Sequence, residues 1–236
     1  MKIALIGYGK MGKAIGEIAV KKGHSISLII DLDNSKDLTN ENLQEADVAI
    51  EFTTPETAVS NILKCFDAGV PLVCGTTGWL DKIEEVKKKC IEKNGAFLYS
   101  SNYSIGVNIF FELNKKLAKL MREHDYTVTL EETHHTQKKD APSGTAITLA
   151  EEILNRSSKT KWVNHQSNNA GELSIISKRI DPAAGTHAVK YTSDIDDIEI
   201  IHTAHNRYGF ASGAVLAAEF IQNKKGVFNM KDVLRF

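Results

Sequence analysis

No apolar run in this chain approaches the ~18–20 residues that a membrane-spanning helix needs. Cysteine is scarce: Cys65, Cys74 and Cys90 form no CxxC pair and cannot all pair with one another, which leaves no disulfide framework. Cys65 sits in a helical pattern and Cys74 in an apolar strand, so these read as buried, inert thiols of a protein in the reducing cytoplasm. Neither sign of charge prevails, with 29 Lys and Arg against 30 Asp and Glu and a net charge of −1. That balance offers no bulk attraction to nucleic acid or to an anionic membrane. Internal repeats and low-complexity segments are missing too. The opening MKIALIGYGKMGKAIG lacks the cleavage site of a signal peptide and reads as a strand and a turn.

What is present is an ordinary globular composition, 42% hydrophobic and 25% charged over 236 residues, enough for one large domain or two small ones. Residues 1–101 alternate apolar strands with amphipathic helices. KIALIG (2–7), SISLIID (25–31), DVAIEFT (47–53), VPLVCG (70–75) and AFLYSS (96–101) read as strands. Helical spacing fills 10–22, the stretch opened by Thr54-Pro55, and 80–93. Strands buried on both faces and separated by helices imply a Rossmann-type, doubly wound parallel sheet. After a helix over 105–122 the period changes to two, in YTVTLEET (126–133), ELSIISKRI (172–180), HAVKYTS (187–193) and DIEIIHTAH (197–205). The last three follow one another through short turns, which predicts an antiparallel arrangement for them. AVLAAEFI (214–221) is again helical and is expected to return to the first half. The fold class is therefore α/β: a dinucleotide-binding domain of 1–103 and 211–236, and an inserted α+β domain of 104–210 with a mixed, largely antiparallel sheet.

Gly7-Tyr8-Gly9-Lys10-Met11-Gly12 is a GxGxxG turn between a strand and a helix. Gly7 permits the tight turn, Gly9 lets the backbone approach a pyrophosphate, and Gly12 lets helix and strand pack closely. The helix N-terminus adds unpaired N–H groups and partial positive charge. Asp31 ends the second strand, 19 residues past Gly12, where an acid can bond the ribose hydroxyls. It should repel a 2′-phosphate, and no arginine follows it, so NADH is favoured slightly over NADPH, although Lys36 is near enough to reach. The loops Gly75-Thr76-Thr77-Gly78 and Ser100-Ser101-Asn102-Tyr103 lie at carboxyl ends of strands, where such sheets bind ligands; they read equally well as polar turns.

The densest chemistry is in EETHHTQKKDAPSGTA (131–146). Its first residues finish a strand, on which His134 and His135 point to opposite faces. Ser143-Gly144-Thr145 opens a helix, a second anion site of main-chain N–H groups and a hydroxyl. Lys138 lies just before it. A lysine, a helix N-terminus and histidines suit a pocket for a small di-acid, with one histidine free to deliver a proton near neutral pH. A solvated loop whose Asp140 and Ser143 cap the helix is the plainer reading. A metal site of His134, His135, His202 and His205 lacks any cysteine or HExxH frame, and no metal is expected.

GYGKMG, EFTTPE (51–56), GTTG (75–78), SNYSIGVN (101–108), this histidine string, GTH (185–187) and FASGA (210–214) together resemble the 4-hydroxy-tetrahydrodipicolinate reductases, the dihydrodipicolinate reductase family of bacterial lysine biosynthesis, from end to end. The resemblance implies reduction of a cyclic dicarboxylate by NADH or NADPH. It implies His134 as proton donor and Lys138 as the second catalytic residue, stabilising charge and a substrate carboxylate. His135, Gly144 and Thr145 would contact the substrate carboxylates. Nucleotide contacts would fall on Gly7, Tyr8, Gly9, Lys10, Met11 and Gly12, on Asp31, on Gly75, Thr76 and Thr77, and on Ser100, Ser101, Asn102 and Tyr103. It also implies a homotetramer formed through the second sheet, and closure about a hinge near 103 and 211. The chain departs from many members in one loop, reading His135-Thr136-Gln137-Lys138 where they carry an arginine and a further histidine. Two other classes remain open on the residues alone. A different two-domain dehydrogenase acting on an amino acid or semialdehyde would keep the glycine turn without needing the histidine–lysine loop. A non-catalytic dinucleotide sensor would need no acid–anion pocket.

Overall fold

The computed structural model describes residues 1–206 and 208–236. In chain order, the first half gives β1 (Lys2–Ile6), α1 (Lys10–Lys21), β2 (Ser25–Ile30), α2 (Asn40–Leu43), β3 (Val48–Glu51), α3 (Pro55–Asp67), β4 (Leu72–Cys74), α4 (Ile83–Glu92) and β5 (Ala96–Tyr99). Then come α5 (Ile105–Met121), β6 (Thr127–His134), α6 (Gly144–Leu154), β7 (Lys161–Val163), β8 (Glu172–Arg179), β9 (Thr186–Thr192) and β10 (Asp197–Thr203). The chain closes with α7 (Tyr208–Ile221), β11 (Gly226–Phe228) and α8 (Met230–Leu234). It divides into two units, Met1–Ile105 with Tyr208–Phe236, and Gly106–Arg207. No helix among the described residues is long and apolar enough to cross a membrane.

In the first unit the six strands are all parallel, in the order β11-β5-β4-β3-β1-β2. The chain steps from β1 outward to β2 and then back to β3 on the other side of β1. That reversal is the switch point at which doubly wound sheets leave a crevice beyond the strand ends. Successive strand residues serve opposite faces. Ala4, Ile6, Ala49, Leu72 and Phe97 pack with residues of α3 and α4, whereas Ile3, Leu5, Val48, Ile50 and Leu98 pack with α1 and α7. Each fully buried Leu or Ile contributes about 1.5–3 kcal/mol relative to exposure, so the sheet is held firmly from both sides. Cys65, Cys74 and Cys90 are free and buried in this unit. Burial pushes their thiols up, Cys90 to about 11.

The second unit has one mixed sheet, β10-β9-β6-β8-β7, with α6 over it. β9 pairs antiparallel with both β10 and β6, while β8 pairs parallel with β6 and β7. This corrects the expectation that β8 and β9 are antiparallel neighbours: β6 lies between them. Its burial alternates strictly, and Val128 and Leu130 face the core, so it takes the central place and forms a ladder on each side. The 180–185 connection instead wraps the carboxyl end of β6, where Ile180 N–H donates to the His134 carbonyl at 2.7 Å.

Candidate active site

The nucleotide-type features of the first unit gather at the carboxyl ends of its strands. Gly7 has φ +92°, and a Cβ there would sit 2.0 Å from the Phe52 carbonyl oxygen; one on Gly12 would sit 2.1 Å from the Gly7 oxygen. These two glycines are steric necessities. Gly9 differs, because no atom lies within 4 Å of its Cβ position. It is the N-cap of α1, without a side-chain cap and with no acid in the first turn. The helix N-terminus is thus open and electropositive, which fits a dinucleotide pyrophosphate. Lys10 is exposed and Tyr8 and Met11 half-buried beside it.

Asp31 is exposed at the end of β2 and caps the short helix that follows, accepting from Leu32 N–H at 2.9 Å. Around the next loops the organiser is Glu51, a residue the sequence reading passed over. It is fully buried at the end of β3. Its Oε1 accepts from the Thr53 N–H at 3.1 Å, the Thr53 hydroxyl and the Thr76 hydroxyl at 3.0 Å. The Gly75–Thr77 loop is thereby fixed to the end of β3, with Thr77 exposed at its tip. A Cβ on Gly75 would lie 2.2 Å from the Phe52 ring. Ser100, Ser101 and Asn102 form a turn in which the Ser100 hydroxyl donates to the Asn102 carbonyl at 2.7 Å. Tyr103 behaves otherwise than expected. Its side chain is 2% exposed and its hydroxyl donates to the Cys74 carbonyl at 2.6 Å, so it anchors the loop from beneath and does not line a crevice.

In the second unit, parity along β6 builds the cluster. Val128, Leu130, Glu132 and His134 share the buried face, which turns from apolar to ionic at its carboxyl end. Glu132 stands opposite His187 of β9, and His134 opposite Arg179 of β8. His134 Nδ1 lies 2.6 Å from Glu132 Oε2. Arg179 Nη2 donates to Glu132 Oε1 at 2.9 Å, and the Ser143 N–H donates to it at 3.3 Å. Burial alone raises the Glu132 carboxyl, but the polar groups of His134, Ser177, Arg179 and Ser143 around it outweigh that effect and hold the group well below the usual carboxylate range. Burial, and then the nearby His134, push His187 down to about 3. The neutral His187 ring meets the Ser143 hydroxyl at Nε2, 3.0 Å away. That hydroxyl also accepts from Ala146 N–H at 3.2 Å, the expected cap of α6.

The loop after β6 carries the remaining expected residues. Lys138 Nζ donates to both carboxylate oxygens of Asp140 at 2.8 Å. Desolvation raises the Asp140 carboxyl, but the bond and charge of Lys138 prevail and lower it. Thr136 bonds Asp181 through its N–H at 3.1 Å and its hydroxyl at 2.5 Å. His135 Nδ1 is buried with no hydrogen-bond partner among the described residues. Gly144 and Thr145 start α6, and no atom lies within 4 Å of a Cβ on Gly144.

Glu132, His134 and His187 are the one group of metal-ligating side chains that gathers among the described residues, their ligating atoms within 4.8 Å of one another. The Arg179 guanidinium holds the other oxygen of the Glu132 carboxylate. The four-histidine alternative is not assembled among the described residues. A cavity of about 300 Å³ opens at the other end of β6, near Thr127 and Thr129. Its Lys159 is already bonded to the carbonyls of Ala170 and Glu172, so it holds no free acid–base pair.

Comparison with known proteins decides between the dehydrogenase classes. Residues 1–103 match the family model for the N-terminus of dihydrodipicolinate reductase, and residues 106–234 that for its C-terminus. The chain belongs to the dihydrodipicolinate reductase family. It is 50% identical over 237 residues to the 4-hydroxy-tetrahydrodipicolinate reductase of Christiangramia forsetii, covering 99% of this chain and 98% of the other. It is 37% identical to the enzyme of the same name from Methanosarcina acetivorans, over 98% of this chain and 88% of that one. Among solved structures, a dipicolinate-bound dihydrodipicolinate reductase from Paenisporosarcina sp. TG-14 superposes with a TM-score of 0.81 at 22% identity over 98% of each chain. A probable dehydrogenase from Thermotoga maritima gives 0.61 at 9% identity, over 99% of this chain and 92% of that one, a likeness of fold alone.

Proposed function

We propose that this chain reduces 4-hydroxy-tetrahydrodipicolinate to tetrahydrodipicolinate with a nicotinamide dinucleotide, in the diaminopimelate route to lysine. The observation that carries the reading is His134: an imidazole whose Nδ1 lies 2.6 Å from a buried carboxylate, in the same unit as a lysine loop and the Ser143-capped N-terminus of α6. Gly7, Gly9 and Gly12 with the start of α1 hold the pyrophosphate, and Asp31 the adenine-side ribose. The Gly75–Thr77 and Ser100–Asn102 loops face the nicotinamide end. The chemistry a reduced nicotinamide supplies is a hydride, to C4 of the conjugated cyclic imine left once the substrate has lost water. The substrate's own electrons then form an enamine, and His134 completes the reaction by giving its Nε2 proton to the adjacent ring carbon. One hydride and one proton are added in all.

Lys138 exchanges Asp140 for a substrate carboxylate and balances the negative charge that develops during reduction. His135, Gly144 and Thr145 orient the other carboxylate through a ring nitrogen, main-chain N–H groups and a hydroxyl. Asp31 disfavours a 2′-phosphate, so NADH is preferred over NADPH. The protein works in the cytoplasm as a homotetramer.

The test generates the unstable substrate in place from pyruvate and aspartate semialdehyde with its synthase, and follows nicotinamide oxidation with NADH and NADPH separately. Rapid, protein-dependent oxidation, faster with NADH, is expected. His134→Gln should lower kcat by about 10²–10⁴-fold while NADH affinity holds. Absence of oxidation from protein that binds either nucleotide would refute the reading.

A further inference from the structure

Two paired charges, the buried Glu132 and the half-buried Arg179, have no part in the reaction proposed above. The side chain of Glu132 is wholly buried, and its two oxygens are divided between partners. Oε2 lies 2.6 Å from His134 Nδ1, and Oε1 accepts from Arg179 Nη2 at 2.9 Å. The same guanidinium then continues to the loop. Its Nη2 donates to the Asp140 carbonyl at 2.6 Å and its Nε approaches the Lys138 carbonyl at 3.4 Å. One ion pair therefore touches the ring of His134 at one end and the backbone carrying Lys138 at the other.

A pair that buries one charge wholly and the other in part is a poor source of net stability, because the cost of desolvation offsets the attraction. Specific geometry is what such a pair supplies. We propose that Glu132 and Arg179 are the positioning residues of this site: Glu132 fixes which nitrogen of His134 keeps its proton, and Arg179 fixes the reach of Lys138. The proposal rests on the catalytic roles assigned above to His134 and Lys138. Neither Glu132 nor Arg179 touches substrate in it.

The division of labour follows from the chemistry of each group. A carboxylate only accepts, so facing it Nδ1 keeps its proton, and the proton that leaves His134 is the one on Nε2. Space beside Nε2 is kept by Gly185, where φ is +151° and a Cβ would stand 3.1 Å from that nitrogen. The His187 ring packs edge-on to His134, centroids 5.1 Å apart, and limits its rotation. Arg179 offers a planar fork that bonds a carboxylate and a carbonyl together, which a lysine cannot reproduce. Its charge also balances Glu132, so a dianionic substrate meets no uncompensated negative charge there.

The experiment uses the full-length protein and two variants. Glu132→Gln replaces the acceptor by an amide whose NH₂ can face Nδ1. It should lower kcat by about 100-fold or more, with the KM for the nucleotide unchanged. The ¹⁵N NMR signature of the neutral His134 ring should move from the Nδ1–H to the Nε2–H tautomer. Arg179→Lys keeps the charge and loses the fork, and should raise the KM for the dicarboxylate by about tenfold with a smaller effect on kcat. A Glu132→Gln protein that keeps its kcat and the Nδ1–H tautomer overturns the proposal. So does an Arg179→Lys protein with an unchanged dicarboxylate KM, which decides alone if Glu132→Gln does not fold. A wild-type protein without turnover would strike the functional reading instead, and the tautomer measurement, which needs no turnover, still judges the role of Glu132.

Discussion

At the scale of single residues, His187 makes acid stability a readout of the cluster. The unfolded chain protonates this side chain near its ordinary value of 6.5, whereas the folded site refuses the proton until about 3. The folded state is therefore fully favoured above pH 6.5 and loses about 1.4 kcal/mol for each unit of pH on the way down to 3. Glu132, whose carboxyl is lowered, adds a loss in the same direction but only below the ordinary carboxylate range. Thermal unfolding followed from pH 7 to 4.5 should show a steeper fall in Tm for the wild type than for His187→Gln. Equal slopes would mean that the ring is charged in the folded protein. Much at this scale was legible in advance. His134, Lys138, Gly144 and Thr145 stand in one dense string, and the Ser143 cap follows from residue type. Glu132 lies in the same string, yet nothing local marks it as buried. Its partner Arg179 is 47 positions away, and only the β6–β8 register brings them together.

At the scale of elements, two glycines separate packing from binding. Gly213 of α7 sits where a Cβ would be 1.7 Å from the Tyr103 carbonyl oxygen, so helix and loop backbones are in contact. Gly213→Ala should destabilise by about 2–3 kcal/mol, lowering Tm by about 4–10 °C in scanning calorimetry. Gly9→Ala, with nothing within 4 Å, should leave Tm within about 2 °C and raise the KM for the nucleotide at least about tenfold, because the added methyl would enter the phosphate path proposed above. A Gly9→Ala protein with unaltered nucleotide KM would remove the α1 terminus from the site. The periods of the sequence identify nearly every element, because 3.6 and 2 are properties of the local chain. The neighbour of a strand is not such a property. β8 alternates equally well beside β9 or beside β6, and its place was settled by the ladders that β6 offers on both sides. Strands of three residues such as β7 and β11 are too short to show a period at all.

At the scale of the whole molecule, the first unit is discontinuous and is completed by Tyr208–Phe236. Ala211, Ala214, Val215, Ala217, Ala218 and Ile221 of α7 form much of one face of its core. Lys22 and His24 also reach Glu219 of this helix at 2.8 and 2.9 Å, though such half-exposed pairs add little. A chain ending at residue 207 should therefore lose the first unit as a folded body, seen as collapse of its amide NMR dispersion and loss of nucleotide binding. Retention of native dispersion for residues 1–105 would show that α7 is dispensable.

Because α7 and β11 follow the inserted segment in the chain, the parallel sheet leaves the ribosome with part of one apolar face uncovered for the length of that segment. The contiguous stretch 106–207 can compact on emergence, ahead of the sheet that precedes it in sequence. The order of completion thus reverses the order of synthesis. α7 acts as a latch that completes that face.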